Sequence, residues 1–297
     1  MIQKTTTHAE LLSFAREVVS RSCNRESIAE LIMEIMAEKR SPKWEREFHK
    51  FHNWYNQYCK GNVTLVNTIF ARKGNMKLSF LSFSTMPIID CPGYGICGKF
   101  CYSKNAWRNV SPFFRMLRNS IITRNHFDII AAEFTRVSNN LHKRMEFVDF
   151  RLYVDGDFDS VETVKNWQDL LKTLPFIRAY GYSKSWVELL NYHKNHSFAD
   201  NYVLNLSNGG KYSHNSGIHN AVKKLPCVRG NFLALPVKKL KTENYSDSSY
   251  REKAKAAAKS LGITKFFICT GLCDNCTPKG HFCGSKNMKA DVITLTH

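Results

Sequence analysis

The hydrophobic positions in the N-terminal part of the chain repeat every three to four residues, which is the spacing of one helix face. They predict helices at residues 11–19 and 28–36, and a third helix that begins at Ser41-Pro42. The third helix carries an aromatic stripe made of Trp44, Phe48, Phe51, Tyr55 and Tyr58. Such a stripe is more typical of a packing face than of a surface that stacks on bases.

From residue 77 onward, short apolar runs alternate with amphipathic segments. The apolar runs predict strands at residues 78–84, 147–154, 176–182, 202–206, 232–237 and 265–268. The segments between them predict helices at residues 112–137, with Ser111 as its cap, and at 161–173, 186–192 and 250–260. This alternation predicts an α/β fold with a mostly parallel sheet, open or curled into a partial barrel. We therefore predict a helical appendage at residues 1–61 and an α/β domain at residues 62–297.

In a parallel sheet, the segments that follow the strands lie at one edge, where α/β proteins place their sites. Here those segments carry sulfur and polar groups, at residues 91–101, 155–157, 183–185, 207–210 and 269–283. The two cysteine-containing segments follow the first and last predicted strands. They would be close neighbours if the sheet curls toward closure.

Seven of the ten cysteines fall into two groups with short spacers. We call Cys91, Cys97 and Cys101 the first cysteine group, and Cys269, Cys273, Cys276 and Cys283 the second cysteine group. Such grouping favours a metal centre over disulfides in a chain of this length. The second group alone supplies enough thiolates for a zinc ion or a cubane cluster. The first lies among glycines that would let the backbone wrap a small centre.

The spacing of the second group favours an iron–sulfur cluster, of the 4Fe–4S type, over zinc. Cys269, Cys273 and Cys276 are separated by three and then two residues, so that one loop can cap three irons. Seven thiolates are also more ligands than one zinc ion binds. The alternative is a zinc ion that holds the C-terminal segment in place. For either metal, His281 could serve as a ligand instead of one of the cysteines.

The chain is strongly basic, with a formal charge of +18, which favours an anionic partner such as DNA or RNA. Acidic residues are absent from residues 91–127 and 201–242. Basic and aromatic side chains in these stretches are candidates for nucleic-acid binding: Lys99, Lys104, Trp107, Arg108, Arg115, Arg118, Arg124 and Lys211. The alternative is that basic residues only keep the protein in solution.

Two further features complete the candidate chemistry. Asp155 and Asp157 follow a strand and could bind a divalent cation or act as acid–base groups, although such a pair is equally typical of an ordinary turn. The N-terminus has no basic-then-apolar signal, and the chain has no apolar run of about 18 residues, so we expect a cytoplasmic protein without membrane contact.

Several motifs occur in an order that resembles the gene product 88 group of phage and plasmid proteins. They are the segment Cys91-Pro-Gly-Tyr-Gly-Ile-Cys97, residues 154–158, 180–185 and 205–210, and the closing cysteines. Their layout is in turn similar to radical S-adenosylmethionine proteins, whose cluster loop also follows the first strand and has an aromatic residue before its last cysteine, as Phe100 precedes Cys101 here. The first group departs from that pattern because its spacers are five and three residues.

From the residues and the resemblance together, we expect an iron–sulfur protein of a mobile genetic element. It would bind nucleic acid and act in plasmid or phage replication or its control. Two alternatives are an iron–sulfur enzyme similar to the radical S-adenosylmethionine type and a nucleic-acid-binding protein stapled by zinc.

Overall fold

A computed structural model of the chain describes residues 41–62, 70, 81–99, 101, 103, 107, 109–240, 242–271, 273, 276–277 and 281–296. The helices predicted at residues 11–19 and 28–36 lie outside these ranges, as do Lys104 and Arg108. The boundary between the appendage and the α/β domain stays a prediction.

The helix predicted at Ser41-Pro42 is confirmed as α1 (Pro42–Cys59). The Ser41 hydroxyl accepts a hydrogen bond from the Trp44 amide, and Pro42 occupies the first turn, where its missing N–H costs no helical bond. The aromatic stripe packs on a second helix, α2 (Val110–Asn125): the ring of Phe51 lies 5.3 Å from that of Phe114. The stripe is therefore a packing face.

The sheet is entirely parallel, which confirms the α/β fold class. Its seven described strands are β1 (Leu81–Ser82), β2 (Val148–Leu152), β3 (Ile177–Ser183), β4 (Tyr202–Ser207), β5 (Val228–Lys238), β6 (Phe266–Ile268) and β7 (Asp291–Thr296). They lie in the order β1-β2-β3-β4-β5-β7-β6. The sheet is open, with β1 and β6 as its two edges.

The remaining described helices connect the strands. They are α3 (Phe127–His142), α4 (Val161–Lys172), α5 (Trp186–His193), α6 (Ser216–Lys223) and α7 (Ser248–Ser260). On one face of the sheet, Phe134 of α3 packs 4.6 Å from Phe150 of β2, and Trp167 of α4 packs 5.0 Å from Phe83. Burying each of these rings stabilises the fold by about 1.5–3 kcal/mol, and together they hold the edge strand β1 in place.

The predicted helix at residues 112–137 is wrong in its length and in its cap. The chain forms α2 and α3 instead, because His126 has φ −147° and ψ 58°, outside the helical region. Ser111 lies inside α2, whose cap position is occupied by Asn109. The sequence at the break contains no proline or glycine, so periodicity alone does not reveal it.

One strand and one α-helix were not predicted. The strand β7 inserts between β5 and β6, and the helix α6 has only eight residues and fully buries only Val222. Among the described helices, none has both the length and the apolar character that crossing a bilayer requires.

Candidate functional site

A cavity of about 360 Å³ opens at the carboxyl edge of the sheet, and both cysteine groups line it. Cys91, Cys97 and Cys101 come from the segment after β1, and Cys269 and Cys273 come from the segment after β6. Since β1 and β6 are opposite edges of the sheet, the sheet must curve around the cavity without closing. None of the nine cysteines that the structure describes forms a disulfide.

The first cysteine group is held by backbone contacts with the loops after β3 and β4. The Cys97 amide donates to the Gly209 carbonyl at 2.9 Å, and the Lys211 amide donates to the Gly93 carbonyl at 2.8 Å. A Cβ added to Gly93 would lie only 1.7 Å from the Lys184 carbonyl oxygen. This glycine therefore lets the loops approach each other, a role different from the expected wrapping of a small centre.

The start of the first cysteine group is anchored by Asp90, which is buried and forms an ion pair with Arg124. The Asp90 carboxylate also accepts hydrogen bonds from the Met86 amide at 3.0 Å and the Ser120 hydroxyl at 2.5 Å. Arg124 lies 3.4 Å from Asp159 as well. Its charge is therefore directed to two carboxylates inside the protein.

The other described candidates on and before α2 also face the protein. Arg118 lies over the ring of Trp54 at 5.9 Å, and burial lowers the pKa of its guanidinium to about 10. Burial lowers the pKa of Arg115 too, although nearby Asp155 opposes the change. Trp107 is 0% exposed, so its ring packs in the core rather than on a base.

Two candidates with described backbones remain. Lys211 is exposed in the loop after β4, with its ammonium 5.5 Å from the ring of Tyr212. Lys99 closes a short turn of 3₁₀ helix, Ile96–Lys99, within the first cysteine segment.

Asp157 and Asp155 both line the cavity, and burial raises the pKa of both carboxyls. Asp157 accepts from the Ser183 hydroxyl and from the Lys184 amide, each at 2.7 Å, and so clamps the loop after β3. Asp155 accepts from the Ser84 hydroxyl at 3.2 Å. Asp157 therefore has a structural role whether or not it also has a chemical one.

Two side chains on the cavity wall hold unusual backbone conformations. Ile88 has φ 69° and Tyr153 has φ 57°, and no other non-glycine residue in the described ranges has a positive φ. A positive φ is costly for such bulky residues, and conformations of this kind cluster at functional sites.

The sulfurs of the second cysteine group lie near one another, and neighbouring cysteines contribute to raising the pKa of Cys269 and of Cys283. The Cys269 sulfur accepts the Gly271 amide at 3.4 Å, and the Cys276 sulfur accepts the Phe282 amide at 3.1 Å. Burial, and to a smaller extent the neighbouring Cys269, raises the pKa of Cys283 to about 12.

The donor chemistry of this group fits zinc or an iron–sulfur cluster, because both prefer thiolate ligands and iron–sulfur sites use N–H groups that point at sulfur. Among the side chains that the structure describes, no group of three His, Cys, Asp or Glu residues is arranged to hold a metal ion. The fit therefore rests on the donor atoms.

The family model described as Gene product 88 matches residues 56–229, more than half of the chain. The chain belongs to the Gene product 88 family. No curated protein and no solved structure matches it significantly. The Gene product 88 match includes the first cysteine group and both candidate aspartates, and it ends before the second cysteine group begins.

Within the Gene product 88 match, two arginines near the second cysteine group were missed. Arg151 of β2 points its guanidinium toward the Cys273 sulfur, at 3.9 Å. Arg229 of β5 is 6% exposed and is bound by the Asn205 side chain, which belongs to a motif that carried the resemblance. For Arg229 the available signal was its place in the run 201–242, which contains no acidic residue, whereas Arg151 lies between Asp149 and Asp155 and gave no such signal.

His281 has other partners than the cysteines. Its Nδ1 atom accepts the Gly284 amide at 3.1 Å, and its Nε2 atom lies 3.7 Å from the Asp149 carboxylate. Its ring packs 4.5 Å from that of Tyr180. In this arrangement both ring nitrogens face protein groups.

Proposed function

We propose that the protein is an iron–sulfur protein and that it acts on a molecule bound in the cavity between its two cysteine groups. The observation that carries the proposal is the cavity itself: five cysteines from two distant segments line one space at the carboxyl edge of a parallel sheet. This edge is where α/β proteins bind their ligands.

The two groups suit different roles because they contain different numbers of sulfurs. The second group has four cysteines, enough to complete the coordination of a structural centre. The first group has three, which leaves one position of a centre without a cysteine ligand. Open positions are characteristic of metal sites that react with substrates. This difference favours an enzyme, and a bound cluster would supply one-electron chemistry.

The polar side chains of the cavity would orient the bound molecule. The Lys184 ammonium donates to the Ser207 hydroxyl at 2.6 Å, and both residues line the cavity. Lys184 and Arg151 can hold an anionic group, whereas Asp155, whose carboxyl pKa is raised by burial, can exchange a proton. The aromatic rings of Tyr182 and Phe232 form an apolar part of the same wall.

The decisive experiment is purification without oxygen, followed by absorption spectroscopy and analysis of iron, sulfide and zinc. We expect iron and sulfide in equal amounts, with losses in Cys91→Ser and Cys273→Ser. Cys59→Ser is the matched control because Cys59 is exposed and belongs to neither group. Stoichiometric zinc without sulfide would replace the proposal with the zinc alternative. Reductive cleavage of S-adenosylmethionine is the assay for an enzyme of the radical type.

We also propose that the protein binds DNA or RNA, in plasmid or phage replication or its control. Support comes from the stretch without acidic residues at 201–242, in which Lys211, Lys223 and Lys224 are exposed. These lysines are better placed for phosphate contacts than the inward-facing arginines of α2.

Binding to a mixed-sequence DNA and RNA at several salt concentrations tests this second proposal. Each lost phosphate contact should reduce the slope of log affinity against log salt by about 0.9 for duplex DNA. Lys223→Gln with Lys224→Gln should therefore lower the slope. The exposed Lys255→Gln on α7 is the control. No measurable affinity at low salt for either nucleic acid would end the proposal.

A further inference from the structure

We propose that Lys184 and Ser207 form a carboxylate-binding subsite of the cavity, and that the molecule bound there is a small organic carboxylate with an apolar body. This inference rests on the part of the proposed function that places a ligand in the cavity. It goes beyond that part by choosing between the two cations of the cavity wall and by naming the chemical class of the ligand.

The Lys184 residue is held in place where three loops meet. Its amide donates to the Asp157 carboxylate at 2.7 Å, and its carbonyl oxygen lies against Gly93. The Cβ and Cγ atoms of its side chain pack on Gly210, at 3.2 and 3.3 Å from where a Cβ of that residue would lie. The backbone and the first part of the side chain are therefore fixed before a ligand binds, which lowers the entropy cost of binding.

The Lys184 ammonium keeps donors that a ligand can use. A lysine ammonium has three N–H donors. One of them donates to the Ser207 hydroxyl at 2.6 Å, and within the described ranges the ammonium forms no ion pair with a carboxylate. Both residues line the cavity. A carboxylate ligand has two oxygens, one for each of the two remaining donors.

The nearby Asp157 carboxylate is bound by other donors. Its Oδ1 atom accepts from the Ser183 hydroxyl at 2.7 Å and from the Phe158 amide at 2.8 Å. Burial raises the pKa of the Asp157 carboxyl, and its hydrogen bonds and the charge of Lys184 oppose this change. Because this acidic group lies close by, a ligand with a single negative charge suits the subsite better than a phosphate dianion.

Arg151, the other cation on the cavity wall, already has a carboxylate near its charge. Its guanidinium lies over the ring of Tyr182 at 4.8 Å. Burial raises the pKa of the Asp155 carboxyl, and the Ser103 hydroxyl and the charge of Arg151 oppose this change. Of the two cations, Lys184 is therefore the one better placed to bind an anionic ligand.

The cavity wall becomes apolar next to the Lys184–Ser207 subsite. Ser207 of β4 is paired in the sheet with Phe232 of β5. Ala234 and Leu295 continue the wall across β5 and β7, and no described wall residue of these two strands is charged. A ligand whose carboxylate lies at Lys184 would therefore place its body on this apolar side, as ligands of such cavities typically do.

The test measures how strongly the full chain, purified without oxygen, binds matched acids and amides. The probes are benzoate and 3-phenylpropionate, with benzamide and 3-phenylpropionamide as neutral counterparts, and isothermal titration calorimetry gives the affinities. We expect each acid to bind the wild type about 10–100-fold more tightly than its amide, because a hydrogen bond to a charged group contributes more than one between neutral groups.

Variants of the subsite locate the preference for acids. Lys184→Met should lose most of it, whereas Ser207→Ala, which keeps the charge, should weaken acid binding only about 2–10-fold. Lys194→Met is the matched control, since this exposed lysine also donates to a neutral oxygen, that of Asn191 at 2.8 Å, but does not line the cavity. Phe232→Leu should weaken 3-phenylpropionate and its amide alike and leave their ratio unchanged.

Several outcomes would overturn the inference. They are equal affinity of the wild type for acids and amides, no measurable binding of either acid, and a preference for acids that persists in Lys184→Met. Tighter binding of inorganic phosphate than of both acids would overturn the carboxylate class. If Lys184→Met does not fold, the comparison of acids with amides in the wild type still decides whether the subsite binds an anion.

The binding measurements also separate this inference from the proposed metal centre. A chain without iron or zinc that retains the Lys184-dependent preference would overturn the metal centre alone. A metal-loaded chain without the preference would overturn the carboxylate subsite alone.

Discussion

At the scale of single residues, the carboxyl edge of the sheet depends on a few positions at which no other residue type would fit. Gly93 is one, because the atoms that face it from the loop after β3 are backbone atoms of Lys184 rather than the end of a flexible side chain. Asp157 is another, because it clamps the loop after β3 with both carboxylate oxygens. Both residues lie in motifs that resemble those of the Gene product 88 group, so part of what those motifs specify is the meeting of loops.

Replacing Gly93 with alanine should destabilise the protein. The new Cβ would lie 1.7 Å from the Lys184 carbonyl oxygen, and we expect a loss of about 1–3 kcal/mol as the loops separate. Urea denaturation followed by circular dichroism measures it. Gly217→Ala in α6 is the matched control, since its nearest neighbour would be the Asn215 side chain at 3.4 Å. Equal stability of the two variants would contradict the predicted contact.

Asp157→Asn should cost about 1–3 kcal/mol of unfolding free energy, because an amide nitrogen would then face a buried donor. Asp169→Asn is the control: it removes a surface ion pair with Lys165 and Lys172, of a kind typically worth about 1 kcal/mol or less. Thermal and urea unfolding of both variants provide the comparison. A smaller loss for Asp157→Asn than for the control would argue against the clamp.

At the scale of elements, the aromatic face of α1 joins the N-terminal part of the described chain to the sheet domain. Its rings pack on α2, and α2 in turn carries Ser120 and Arg124, which hold Asp90 beside the first cysteine group. Through α2, the helix α1 therefore supports the segment that carries the first cysteine group, although α1 contributes no side chain to the cavity wall.

Phe51→Ala should destabilise the protein by about 3–5 kcal/mol, because this 2% exposed ring fills the space between α1 and α2. Asn53→Ala, exposed on the same helix, should change the unfolding free energy by less than about 0.5 kcal/mol. Global unfolding monitored by circular dichroism tests the difference. If the two variants unfold alike, α1 does not share the core of the sheet domain.

At the scale of the whole molecule, the curvature of an open sheet brings together cysteines that follow its two edge strands. A metal bound by the folded chain but not by the unfolded chain stabilises folding, by about 2.7 kcal/mol when its free concentration is one hundred times its dissociation constant. Metal content and global stability should therefore change together.

Removing metal with a chelator should lower the unfolding temperature of the wild type. Cys273→Ser should have a lower unfolding temperature and a smaller response to the chelator, whereas Cys59→Ser should behave like the wild type. Differential scanning calorimetry of the three proteins, with metal analysis of each sample, provides the measurement. An undiminished chelator effect in Cys273→Ser would place the metal outside the second cysteine group.

By itself, the sequence determined the features that depend on neighbours along the chain. Apolar periodicity located α1, α4, α5 and most strands, and the alternation of strands and helices identified the parallel sheet. Spacing grouped the cysteines and placed Asp155 and Asp157 after a strand. These features were readable because strand and helix periods, caps and turns are set by residues close in sequence.

Only the tertiary structure decided the features that depend on contacts between distant segments. It inserted β7 beside β5, turned Arg118 and Arg124 toward the interior, and brought Arg151 to 3.9 Å from the Cys273 sulfur. It also placed Gly93 where a side chain would clash with the loop after β3. Strand order, the partner of a buried charge and the space around a glycine depend on which elements pack together, and no local pattern contains that information.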